Sequence, residues 1–244
     1  MKYELNNIYN EDSYKAIKDI PDNSIDLIIV DPPYHFESDG GGGAFGSKKR
    51  DYHNVVTQPN FNRQIDNDFL DEIKRIMKKM NCYIFCNKEQ LLQYMTHFKE
   101  YRFDLLFWRK LNPTPTCNNK YLSDVEYILF FREKGVKLYG SYHTKSKLFE
   151  SIVNKSDKKL FKHPTIKPLN IIKDLIINSS QENEIVLDLF IGSGTTPVAA
   201  KESNRQYIGF EIDPKYYKIA KDRLNGITAS GQTSMFTNFN ELDV

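Results

Sequence analysis

With 244 residues, 40 % of them apolar, the chain can build one large domain or one domain with an insertion. Its 27 % charged residues are ordinary for a globular protein, and a net charge of +2 gives no argument for nucleic-acid binding beyond a local patch. Three scattered cysteines argue against a disulfide framework. No apolar run nears the roughly 20 residues of a membrane span, and the acidic N-terminus is unlike a signal peptide, so a cytoplasmic protein is expected.

In chain order, Ser24 to Val30 reads as a buried strand that stops abruptly at Asp31-Pro32-Pro33-Tyr34. The stretch 35–58 carries four consecutive glycines and reads as a mobile lid after that strand. A helix is expected at 65–80, then a strand at 82–86 with Cys82 and Cys86 as buried thiols on one face. No metal site is expected there, because ligand spacing is missing around the pair. Another helix follows at 88–99, then strands at 103–109 and 124–131.

The span 110–160 breaks the alternation and reads as an insertion, Lys-rich near its end. Helices at 168–179, 195–203 and 214–225 then alternate with strands at 184–189 and 206–210. The tail 226–244 is polar and weakly patterned. The fold class is α/β: a doubly wound, mostly parallel sheet of the seven-stranded, Rossmann-like type with an inserted region.

The stretch "EIVLDLFIGSGTTPVAAKESNRQYIGFEID" sets the ligand class. A strand ends at Asp188, a tight turn follows at Gly192-Ser193-Gly194, and a helix opens at Thr195. The next strand ends at Glu211, placed to accept both hydroxyls of a ribose. The turn lacks the third glycine of a dinucleotide site, and carboxylates at Asp188 and Asp31 would repel a pyrophosphate. They suit a nucleoside carrying a sulfonium or ammonium centre, which is S-adenosylmethionine.

"VDPPY" at 30–34, "HPTIKP" at 163–168, "LDLFIGSGTT" at 187–196 and "GFEID" at 209–213 together resemble the amino-group DNA methyltransferases, in the family's β order. The resemblance implies transfer of a methyl group from S-adenosylmethionine to adenine N6 or cytosine N4 in DNA. It implies catalysis by Asp31, Pro32, Pro33 and Tyr34. It places Asp188, Phe190, Gly192, Ser193, Gly194, Thr195 and Thr196 under the methionine part, with Lys167 on its carboxylate. Glu211 takes the ribose, Ile212 packs on the adenine, and Asp12 and Ser13 lie near the adenine or its sugar.

An exocyclic amine is a poor nucleophile because its lone pair is delocalised into the ring. The Asp31 carboxylate and the Pro32 carbonyl can accept its two N–H groups and draw the lone pair out. Prolines 32 and 33 add no competing backbone donor. The Tyr34 ring can stack on a base taken out of the duplex.

Asp at position 31 favours adenine, since cytosine-N4 enzymes of the family often carry Ser there. Target recognition is expected within 110–160, with Lys145, Lys147, Lys155, Lys158, Lys159 and Lys162 as candidate phosphate contacts. Double-stranded DNA is the favoured substrate, with single strands an alternative. The resemblance also implies a homodimer and a partner restriction endonuclease. The competing readings are methylation of RNA or of a protein amide, and a nucleic-acid-binding relic without activity.

Overall fold

The structure is a computed structural model and describes residues 2–33, 65–113, 121–152 and 166–227. Its strands are β1 (Asn7–Tyr9), β2 (Leu27–Val30), β3 (Asn81–Cys86), β4 (Arg102–Lys110), β5 (Val125–Arg132), β6 (Leu148–Ser151), β7 (Ile185–Asp188) and β8 (Gln206–Phe210). The helices are α1 (Ser13–Ala16), α2 (Asn67–Ile76), α3 (Lys88–His97), α4 (Leu169–Ser179), α5 (Thr195–Glu202) and α6 (Pro214–Leu224).

All eight strands join one sheet in the order β1-β8-β7-β2-β3-β5-β4-β6. The pairs are parallel except β3–β5 and β4–β5, where β5 runs against both neighbours. The eighth strand exceeds the seven expected. The short edge strands β1 and β6 pair in the sheet although neither shows a readable alternation. Within the expected insertion 110–160, β5 lies inside the sheet between β3 and β4 and β6 lies at its edge, while 114–120 and 153–160 fall outside the described residues.

The central strands are apolar on both faces because both faces are covered. Leu27–Val30 is buried throughout, and so is every residue of β3. One face packs Ile28, Val30, Cys82, Ile84 and Cys86 against α1, α2 and α3; the other packs Leu27, Ile29, Tyr83, Phe85 and Trp108 against α4, α5 and α6. The free thiols of Cys82 and Cys86 share the first face, as expected, and burial raises both pKa values, that of Cys86 to about 12.

The starts of α1, α2, α3 and α6 are marked by side-chain caps. Asp66 accepts from the Phe69 N–H at the start of α2. Asn87 and Gln90 form a reciprocal capping box on α3, which begins directly after β3. No helix among the described residues is long and apolar enough to cross a membrane.

Candidate active site

Chain direction gathers the site. The carboxyl ends of β2, β7 and β8 and the amino end of β5 lie at one edge of the sheet. Asp31 follows β2, Asp188 ends β7, Glu211 follows β8, and Glu126 stands second in β5. By strand alternation all four take the parity of the face that packs on α4 to α6.

Asp31 is partly exposed, and its Oδ2 lies 2.6 Å from the Lys167 Nζ. Lys167 is only 7 % exposed and also meets Glu126 Oε2 at 3.1 Å. The other oxygen of Glu126 takes the Lys110 Nζ at 2.7 Å. The Lys167 ammonium lies over the Phe85 ring at 5.1 Å and near Trp108 at 6.0 Å. Buried charges require such partners. The motif-based reading placed Lys167 on the methionine carboxylate; here its ammonium lies on the carboxylate of Asp31.

Pro32 is buried, and the Pro33 carbonyl accepts from Gln90 Nε2 at 3.2 Å. Tyr34 lies outside the described residues. So do the glycine-rich loop and Lys155, Lys158, Lys159 and Lys162.

Asp188 is buried, accepts from the Phe190 N–H at 2.9 Å and bonds the Thr196 hydroxyl. Burial pushes its pKa up to about 7, against these hydrogen bonds and helped by the negative charge of Asp31. Glu211 accepts from the Gly192 N–H at 2.8 Å and the Asp213 N–H at 2.9 Å. Burial carries it to about 7 as well.

Gly192 and Gly194 have left-handed backbones, with φ of 51° and 80°. At Gly194 a side chain would also sit 2.9 Å from the Ala220 Cβ, so α6 closes against the turn. Arg223 of α6 donates to the Thr195 hydroxyl at 2.9 Å and approaches the Ser193 carbonyl at 3.4 Å. Phe190 packs against Phe69 and Tyr14. Ser193, Thr195 and Thr196 are buried, while Ile212 is 40 % exposed.

Asp12 caps α1 by accepting from the Tyr14 N–H, and Ser13 is buried beside it. Asn10 donates to the carbonyls of Glu211 and Ile212, bringing this N-terminal segment to the end of β8. Lys147 lies away from this edge, paired with Asp104 at 2.6 Å. Lys145 and Lys147 line a cavity of about 230 Å³ with Arg132 and Asn178.

Four contributors escaped the sequence reading: Glu126, Lys110, Gln90 and Asn10. Glu126 had a signal. In "VEYILFF" it shares parity with Ile128 and Phe130, both buried, so a carboxylate stands at a core-facing position.

A DNA methylase family model matches residues 25–222. The type II methyltransferase M2.LlaDCHI of Lactococcus lactis subsp. cremoris is 31 % identical over 91 % of both chains. M2.DpnII of Streptococcus pneumoniae is 28 % identical over 89 % of this chain and 88 % of its own. Among solved structures, the M1.HpyAVI–SAM complex superposes with a TM-score of 0.65 at 26 % identity, covering 88 % of this chain and 98 % of that one. The cytosine-N4-specific PvuII DNA methyltransferase shares the fold, with a TM-score of 0.65 at 18 % identity over 88 % of this chain and 85 % of its own. The chain therefore belongs to the amino-group DNA methyltransferases, site-specific enzymes whose methyl donor is S-adenosylmethionine.

Proposed function

We propose that this enzyme methylates the exocyclic N6 of an adenine swung out of the duplex. The observation that carries this reading is the carboxylate at position 31, set after a central strand and followed by two prolines. S-adenosylmethionine, when bound, supplies an electrophilic methyl group on a cationic sulfur.

Asp31 accepts one N–H of the amine and the Pro32 carbonyl accepts the other. The carboxylate stabilises the positive charge that builds on nitrogen. The proton becomes acidic only once the new C–N bond has formed, so Asp31 acts through its charge rather than as a strong base. Tyr34 holds the base by its ring face.

The donor and acceptor set suits the methyl donor. Asp188 and Glu211 are held near pKa 7 by burial. A ligand that brings a cation and two ribose hydroxyls relieves that penalty at both. Ile212 supports the adenine, with Asp12 and Ser13 beside it. Phe190, Gly192, Ser193, Gly194, Thr195 and Thr196 underlie the methionine part. Lys167 orients Asp31 in addition to any contact with the methionine carboxylate.

Recognition of a short duplex sequence is assigned to parts of 110–160 outside β5, with pairing of two copies and a partner restriction endonuclease as the biological setting. The type II class in the relatives' names supports that setting. The test is methylation-sensitive long-read sequencing of DNA from cells expressing the enzyme, beside Asp31→Ala. N6-methyladenine at one short motif, absent in the control, is expected. N4-methylcytosine instead would overturn the choice of base, and an unmodified genome would redirect the search to single strands.

A further inference from the structure

Lys110, Glu126, Lys167 and Asp31 form a chain of alternating charge that ends on the proposed catalytic carboxylate. The successive contacts are 2.7 Å, 3.1 Å and 2.6 Å. The interior of the chain is enclosed: side-chain exposure is 8 % at Lys167 and 18 % at Glu126. Trp108 lies near both lysines, 5.3 Å from Lys110 and 6.0 Å from Lys167, and its indole N–H donates to the Ser151 hydroxyl at 2.8 Å. In such a place each charge feels its neighbours strongly.

A lone ammonium on Asp31 would hold that carboxylate still but also satisfy it, leaving a weaker acceptor for an amine. A second carboxylate on the same ammonium divides its charge. We propose that Glu126, backed by Lys110, is a positioning residue for methyl transfer: it shares and steadies the Lys167 ammonium, so that Asp31 is oriented without being neutralised. This rests on the reading of Asp31 as the catalytic carboxylate.

The alternation makes a signed prediction. Removing the charge of Glu126 leaves more of the Lys167 charge to Asp31, which favours the ionised carboxylate. Removing Lys110 gives Glu126 wholly to Lys167, which loosens the grip on Asp31. Among the described residues, Asp188 on β7, Cys86 on β3 and Tyr94 on α3 also feel the charge of Asp31. Burial raises the pKa of all three, and both variants keep them. The difference between the variants therefore reports the charge chain.

The experiment uses the full chain, radiolabelled S-adenosylmethionine and unmethylated bacterial genomic DNA, with single-turnover rates measured across pH. Glu126→Gln should slow methyl transfer by about 10- to 100-fold while donor affinity changes by less than about threefold. Its acidic limb should move to lower pH. In Lys110→Met the limb should move to higher pH. A purely structural ion network would lower thermal stability in both variants without opposite shifts.

Unmoved limbs, or limbs moving together, would overturn the inference. Should Glu126→Gln not fold, the direction of the shift in Lys110→Met decides alone. Asp31→Asn runs alongside. If it turns over normally, the reading of Asp31 fails and takes this inference with it. If it is inactive while Glu126→Gln is unaffected, only the positioning role fails.

Discussion

The side-chain amide of Gln90, fully buried at the first turn of α3, donates to the carbonyl of Pro33 at 3.2 Å. The same amide nitrogen donates to the Tyr94 hydroxyl, and its oxygen accepts from the Asn87 N–H. One residue thus ties the turn after β2 to the helix after β3. Gln90→Leu leaves three polar groups without this partner. It should cost about 1–3 kcal/mol in stability and slow turnover by roughly tenfold. Chemical denaturation and single-turnover kinetics on the same preparation check both effects.

Gly194 meets two demands at once, a left-handed backbone and the approach of Ala220. Gly194→Ala should destabilise by roughly 1–3 kcal/mol and weaken binding of S-adenosylmethionine. Adding Ala220→Gly removes the 2.9 Å contact but leaves the Ala220 Cα at 3.1 Å and the φ penalty, so recovery should be partial. Thermal melting and calorimetric titration of the single and double variants would show this.

Arg223 reaches from α6 to the same turn through Thr195 and Ser193. Arg223→Met should weaken donor binding by about tenfold, since the turn loses a charge-assisted tether. The chemical step, measured with donor at saturation, should change little.

Glu211 offers a pH test. Its folded pKa is raised to about 7 from an ordinary carboxylate value. The folded protein keeps a proton that the unfolded chain releases as pH rises from about 4.5, so this group's contribution to stability declines through that window up to about 7. Glu211→Gln should therefore gain stability relative to the parent as pH rises, a trend read from melting curves at several pH values. In the proposed role, ribose hydroxyls donated to Glu211 would favour its charged form, so donor binding near neutral pH should release protons. Titrations in buffers of different ionisation enthalpy measure that release, which should shrink in the variant.

Much of this was legible in the chain itself. β2, β3, β7 and β8 are runs of apolar residues, and such runs are what a parallel sheet covered on both faces needs. Asp31 and Glu211 stood out because each follows a strand at its carboxyl end, where α/β ligand sites form. Edge strands β1 and β6 did not stand out, since three or four residues carry too little pattern. The direction of β5 was also hidden, because an apolar strand looks the same read either way. Glu126 was missed for that reason: it serves the site from the beginning of a strand. Lys167 was found from its motif, but its partners come from strands far away in the chain.

The Lys110–Glu126 pair also pins the base of the connection between β4 and β5, where the Lys110 N–H donates to the Asp124 carbonyl at 2.6 Å. A connection closed at its base grows cheaply, at about 0.6 kcal/mol for each doubling of length. Antiparallel neighbours need no helical crossover between them, so added residues have no topological obligation. Length added to this connection therefore costs little while the Lys110–Glu126 pair at its base is kept. The reversal of one strand separates what can vary from what must stay.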